Sequence, residues 1–498
     1  MILRIFGHDF HYECENLCRV YYPNEKIEIK YDGSGDDPLT VETRLFPEDG
    51  GARVEVITSI NGSVRSAGDK VTAPDDELRD KCELRIAQFM FELLSAETGY
   101  TPPWGVLTGV RPSKLMLRLT AQLGEQGAMD YFTKGLLVSP EKARLAATVA
   151  KAEEQIVASS RPNSFSLYVS IPFCPTRCAY CSFVSFATKR LLSMIPDYID
   201  RLLRDLEVVF AQIKKHGLKL KTIYIGGGTP TTLSADMLSL IFEKIEEYID
   251  PFTLDEFSLE AGRPDTITSE KLAVAAANGV TRISINPQTL NEAVLNQIGR
   301  FHTVDQFYKS YDMARNSGIK YINTDLIVGL PGDSHRSFVR TMDNIVKLAP
   351  DNITIHTFCV KKAADLAHSA GIYSSAGGDV QKSVDYSQLR AKSNGYIPYY
   401  LYRQKNSVSN LENVGFAKPG AEGLYNIYIM EEVHHIFAVG AGAVTKLVAG
   451  DKNRMLRIFM DKYPYEYLSK EGEEKFRAEY NEKVDRFFEE NNTDVMDL

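Results

Sequence analysis

The chain has 498 residues, 44% hydrophobic and 25% charged, with a net charge of −9 at neutral pH. That length exceeds one compact core and predicts two or three domains of ordinary globular composition. The acidic balance gives no general attraction to nucleic acid or an anionic membrane, so no nucleic-acid partner is expected.

No run approaches the roughly 18 apolar residues of a membrane helix, so no membrane span is expected. The first residues lack the charged start, apolar stretch and cleavage site of a secretion signal, which predicts a cytoplasmic protein. Residues 2–7, 18–31, 40–46 and 52–60 alternate apolar and polar side chains between Pro-Asn, Asp-Gly and Gly-Gly breaks, and predict strands. Helical periodicity follows at 75–96, 112–123 and 139–158. Arg161-Pro162-Asn163-Ser164 marks a boundary. Residues 1–160 are therefore expected to form an α+β domain, whose role the residues do not disclose.

Beyond the boundary the pattern alternates. Apolar strands at 165–171, 220–225, 256–261, 282–286, 321–328 and 352–357 are separated by helices at 195–216, 235–249, 269–278, 304–317 and 334–348. This alternation predicts an α/β fold with a parallel sheet and right-handed crossovers. Six units over 161–368 suit a partial (β/α)6 barrel better than a closed eightfold one. Residues 369–498 are expected to form a C-terminal accessory segment covering the barrel mouth. It contains a tyrosine-rich stretch at 396–405, a glycine-rich one at 437–443, and a charged helical tail from Ser469.

Seven cysteines are too few and too dispersed for a disulfide scaffold, yet Cys174, Cys178 and Cys181 crowd into eight residues. They lie in YVSIPFCPTRCAYCSF, from Tyr168 to Phe183, directly after the first barrel strand. Thiolates suit iron–sulfur clusters or zinc. A structural zinc site wants a fourth nearby ligand, and the next histidine is His216. Three thiolates on a four-iron cube leave one iron free for a small molecule. Tyr224-Ile-Gly-Gly-Gly-Thr-Pro230 ends the second strand. Its glycines allow close backbone approach to a ligand, on the face where such barrels build active sites.

The cysteine triplet followed by Gly-Gly-Gly-Thr-Pro resembles the radical S-adenosylmethionine (SAM) superfamily, and within it the oxygen-independent coproporphyrinogen III oxidase (dehydrogenase) group. The resemblance runs from Tyr168 to Pro331. It includes Glu260, Arg282-Ile-Ser-Ile-Asn-Pro-Gln-Thr289, Gly299-Arg300-Phe301-His302 and Asp325-Leu-Ile-Val-Gly-Leu-Pro331. Trp104-Gly-Val-Leu-Thr-Gly-Val-Arg-Pro112 and Tyr402-Arg-Gln-Lys405 resemble the HemZ-type branch of that group.

The resemblance implies a [4Fe–4S] cluster on Cys174, Cys178 and Cys181. It implies SAM held by Gly227, Gly228 and Thr229 at its methionine end, with Glu260, Gln288, Arg300 and Asp325 toward its carboxylate, ribose or a second SAM. A mixed carboxylate, amide and guanidinium set suits a ligand with an ammonium, a carboxylate and a diol. Tyr168 and Tyr180 flank the cluster loop and are candidates to pack on adenine. His302 and His356 are acid–base candidates; Cys14, Cys18 and Cys359 read as small hydrophobes.

The implied function is oxidative decarboxylation of coproporphyrinogen III, with a tetrapyrrole substrate and a low-potential electron donor as partners. The tetra-anionic substrate calls for cations, for which Arg263, Arg403 and Lys405 are candidates. Better-known members of the group carry histidine where Ser170 stands and cysteine where Phe183 stands. Alternatives are a haem-binding trafficking protein, a haem-modifying enzyme acting by methyl transfer or ring opening, and an RNA-modifying enzyme.

Overall fold

A computed structural model describes residues 1–181, 183, 185–359, 377–404, 407–450 and 454–491. Strands β1 (Ile2–Phe6), β2 (Glu28–Lys30), β3 (Leu39–Glu48), β4 (Gly51–Ile60) and β5 (Ser63–Val71) form one sheet in the order β2-β1-β3-β4-β5. The strand expected over 18–31 is corrected: its start closes a helix, His11–Tyr21, and only Glu28–Lys30 pairs. Cys14, Leu17, Cys18 and Tyr21 are buried at three- and four-residue spacing, the helical repeat. Strand β5 has no apolar face to announce it. It is an exposed edge strand joined to β4 through Asn61-Gly62, both at positive φ, as a tight hairpin turn requires.

Strands β6 (Ser164–Ile171), β7 (Lys219–Gly227), β8 (Glu256–Glu260), β9 (Arg282–Ser284), β10 (Tyr321–Val328) and β11 (Asn352–Thr357) lie side by side in sequence order, all parallel. Their connecting helices include Ile195–Lys215, Ala235–Glu246 and His335–Leu348. This is the six-unit α/β barrel array.

The sheet continues at both ends. Strands β12 (Ile397–Arg403) and β13 (Glu412–Ala417) add to β11, with β13 antiparallel to it. On the other side β14 (His435–Val439) runs parallel to β6, followed by β15 (Val444–Val448) and β16 (Met455–Phe459). Helix Leu424–Glu431 joins β13 to β14 and so carries the chain from one edge of the barrel array to the other. The tail helix Lys470–Asn491 packs on Ile195–Lys215 through Gln212–Asn481 and Arg204–Glu473 hydrogen bonds. Among the described residues, no helix is long and apolar enough to cross a membrane.

Two buried polar nodes hold these parts together. Glu412, on β13, accepts from Trp104 Nε1 and Lys142 Nζ, each at 2.7 Å, and thereby ties the N-terminal region to the barrel edge. Arg403 is buried beside it. Its guanidinium lies over the Trp104 ring and donates to the Leu107 carbonyl.

The second node sits inside the barrel. Glu256 on β8 pairs with Arg282 on β9 at 3.0 Å and accepts from the backbone N–H groups of Leu424 and Tyr425. Arg282 also donates to Asn323 on β10 and to the Ala421 and Glu422 carbonyls. Both side chains are at most 4% exposed. Removing one partner of such a pair strands the other, so Glu256→Ala is expected to destabilise the fold by about 3–5 kcal/mol. Denaturant unfolding measures this, with Arg282→Met/Glu256→Leu expected to recover much of the loss.

Candidate active site

The cysteine loop begins where β6 ends and is pinned from two sides. Gly228 N–H donates to the Ile171 carbonyl at 2.8 Å and Thr229 N–H to the Phe173 carbonyl at 2.7 Å. From the other side Ala179 N–H reaches the Ile298 carbonyl, and Thr176 Oγ1 donates to the Gly299 carbonyl. Cys174 Sγ shares a hydrogen bond with Thr229 Oγ1 at 3.3 Å. Cys178 Sγ has Arg263 Nη1 and Arg300 Nη1 each 3.9 Å away. Burial raises the Cys174 thiol to about 11 and raises Cys181 as well. Among the described residues, no three His, Cys, Asp or Glu side chains converge to hold a single metal ion.

A cavity of about 600 Å³ opens above this loop. The twelve residues assigned to the cluster and SAM all lie on its wall: the three cysteines, Tyr168, Tyr180, Gly227, Gly228, Thr229, Glu260, Gln288, Arg300 and Asp325. Gly227 adopts φ 107°, and a Cβ on Gly228 would stand 2.7 Å from the Phe173 carbonyl oxygen. Both therefore need to be glycine.

Glu260 accepts from the Tyr224 hydroxyl and the Gly227 N–H, yet burial, aided by the Asp325 charge, raises its carboxyl to about 8. Asp325 is held by Asn286 Nδ2 at 3.0 Å. Gln288 sits at φ 66°, an uncommon conformation for a non-glycine residue, and no partner among the described residues meets its buried Oε1. Arg300 donates to the Gly262 and Asn286 carbonyls. Two repelling carboxylates and an orphaned amide oxygen facing one cavity suit a cationic ligand with donor groups, which is the chemistry of SAM.

Another part of the wall is aromatic. Tyr168, Tyr224 and Tyr425 stack with ring centroids 4.7–6.2 Å apart, Tyr425 coming from the crossing helix. Tyr402 hydroxyl lies 3.2 Å from His356 Nδ1, whose Nε2 is 3.7 Å from Asp325. His356, Cys359 and Arg263 line the cavity; His302 and Arg403 do not. Lys405 lies outside the described residues. Cys14 and Cys18 are buried in the N-terminal core. Arg263 is paired with Asp265 at 2.8 Å, and Arg403 braces Trp104, so neither is a free anchor for a substrate.

Among the wall residues that escape a reading of the sequence are Tyr224, Asn286, Tyr425 and Lys446. The first two stand inside motifs already recognised, where alternation along the strand would place them beside Glu260 and Gln288. The others carry no local signal. Gly228→Ala is expected to destabilise the protein by about 1–3 kcal/mol through overpacking against Phe173 and Ile171. Thermal unfolding, with Gly109→Ala as a control at a position where a Cβ meets only an ordinary contact, checks this.

Residues 168–345 match the family model of the radical SAM superfamily. The chain is 35% identical over 496 residues to the oxygen-independent coproporphyrinogen-III oxidase-like protein HemZ of Bacillus subtilis (strain 168), covering 97% of each chain. It is 32% identical over 285 residues to the heme chaperone HemW of Lactococcus lactis, covering 57% of this chain and 69% of that protein. It is 34% identical over 194 residues to coproporphyrinogen III oxidase, anaerobic 1, of Cereibacter sphaeroides, covering 38% and 41%. With near-complete coverage by one relative and the cysteine and glycine loops on a single cavity, the chain belongs to the radical SAM superfamily and, within it, to the oxygen-independent coproporphyrinogen-III oxidase-like HemZ family.

Proposed function

We propose that this protein converts coproporphyrinogen III to protoporphyrinogen IX by oxygen-independent oxidative decarboxylation, with Cys174, Cys178 and Cys181 holding a [4Fe–4S] cluster and the adjoining wall holding SAM. When bound and reduced by a low-potential donor, these cofactors supply a 5′-deoxyadenosyl radical for hydrogen abstraction from a propionate side chain. The protein's own share is binding, orientation and exclusion of water.

One observation supports the SAM site above the others: Glu260 and Asp325 face the same cavity and repel each other, with Glu260 raised to about 8. A cationic ammonium or sulfonium between them relieves that repulsion. Gln288 Oε1 accepts from a ligand hydroxyl or ammonium, and Gly227, Gly228 and Thr229 bring backbone within reach of an amino-acid head. Arg263 and Arg300 balance charge at Cys178. Tyr168, Tyr224 and Tyr425 offer an apolar, planar wall suited to a macrocycle.

The deciding assay is anaerobic: reconstituted protein, reductant, SAM and coproporphyrinogen III, with products followed by mass spectrometry. Protoporphyrinogen IX and 5′-deoxyadenosine are expected together, and both are expected to vanish in Cys174→Ser. Deoxyadenosine without vinyl product would keep the radical chemistry and overturn the substrate. Stoichiometric haem binding without turnover would favour the trafficking function borne by HemW.

The Glu260 carboxyl also predicts a pH dependence. Below about 8 it holds a proton and is neutral; above, it is anionic and attracts a cation. SAM affinity is therefore expected to rise between about pH 7 and about pH 9, severalfold. Equilibrium binding across that range measures it, and Glu260→Gln is expected to flatten the profile.

A further inference from the structure

The cavity wall carries an unpaired cation as well as the two carboxylates of Glu260 and Asp325. On β15, Val444 and Lys446 stand two residues apart and face the cavity, while Thr445 turns outward to Tyr480 of the tail helix. Lys446 is in register with Ile436 of β14, also on the cavity wall, and with Arg457 of β16 on its other side. Like charges directly opposite one another across a strand pair are destabilising unless an anion lies near.

The nearby anion is Glu432, and it is already engaged on both oxygens. Arg111 Nη2 donates to Oε2 at 2.9 Å, and Arg457 Nη2 lies 3.6 Å from Oε1. Three cations thus share one carboxylate. Among the described residues, the Lys446 ammonium has no hydrogen bond and no ion pair, although the side chain is only partly exposed. Burial lowers it from the ordinary lysine range; Glu432 opposes the shift, and Arg457 and Arg111 add to it. The two guanidiniums on the wall are committed. Arg263 is bound to Asp265 and Thr176, and Arg300 to the Gly262 and Asn286 carbonyls. Lys446 is therefore the uncommitted lysine or arginine of the wall among the described residues.

A partly buried, unpaired ammonium in an excess of positive charge lowers its energy by taking an anion. We propose that Lys446, backed by Arg457 and Arg111, is the carboxylate-binding point of the cavity and takes one acidic side chain of the tetrapyrrole ligand. The identity of that ligand rests on the function proposed above; the anion site rests on the geometry alone. Of the three anchors expected from the residues, Arg263 and Arg403 are spent on internal partners. Among the described residues Lys446 does their work, and so distinguishes a tetrapyrrole acid from a neutral one.

The test uses the full-length, anaerobically reconstituted protein and two stable probes, coproporphyrin III and its tetramethyl ester, titrated by fluorescence. Wild type is expected to prefer the acid. Lys446→Gln is expected to lose about tenfold in affinity for the acid, the scale of one charge-assisted hydrogen bond, with ester binding unchanged. Lys446→Arg is expected to retain most of the acid preference. Equal loss for acid and ester, or no loss for the acid, would overturn the proposal. Should wild type bind neither porphyrin, acylation of Lys446 read by mass spectrometry decides. Slower acylation in the presence of a benzene tricarboxylate would keep the anion site and overturn the tetrapyrrole ligand; no protection would overturn both.

Discussion

The barrel depends on one buried ion pair. Glu256 and Arg282 belong to adjacent strands, and neither charge has water to fall back on. Each must be satisfied by protein, and the groups that complete the set are the backbone N–H groups of Leu424 and Tyr425 and the carbonyls of Ala421 and Glu422. The pair therefore holds the segment between β13 and β14 against the N-terminal ends of β8 and β9. A carboxylate at the start of helix Leu424–Glu431 also meets the positive end of its backbone dipoles. The crossing helix then presents Tyr425 to Tyr224 and brings β14 alongside β6. The aromatic wall, and through β14 the whole β14–β16 extension, follow from this node.

The cavity that results is divided by charge. Around the cysteine and glycine loops, Glu260 and Asp325 are brought together against their mutual repulsion. Along β15, Lys446 and Arg457 are brought together against theirs. Folding alone gains nothing from either arrangement, so both read as interactions held open for a ligand. A cation at one and an anion at the other would satisfy the two, and a cofactor with a sulfonium beside a substrate with carboxylates has that pattern.

Ser170, where the resemblance leads one to look for histidine, has a packing explanation. Its hydroxyl donates to the Ala441 carbonyl at 2.9 Å, and its own carbonyl accepts from Tyr198. Gly440 packs so closely that a Cβ there would stand 2.5 Å from the Ser170 carbonyl oxygen. The glycine-rich turn after β14 fills the space that an imidazole would take, so residue 170 serves the sheet extension. Phe183, in place of the cysteine, is 67% exposed on the cavity rim.

Much of this protein is legible in the linear order of its residues. The cysteine and glycine loops are contiguous motifs, and six strand–helix repeats announce themselves by periodicity; local order along the chain is all such features need. The end of helix His11–Tyr21 reads as strand because Cys18, Val20 and Tyr22 also fit a period of two over a short window, and strand β5 escapes because an exposed edge carries no apolar face. What tertiary structure decided is whatever joins residues far apart in the chain. Arg403 and Lys446 are alike in a sequence, each a cation within a stretch of strand-forming residues. Only the fold buries one against Trp104, 299 positions away, and leaves the other facing the cavity. Charge type is written locally, but whether a charge is spent or free depends on partners that distant strands deliver.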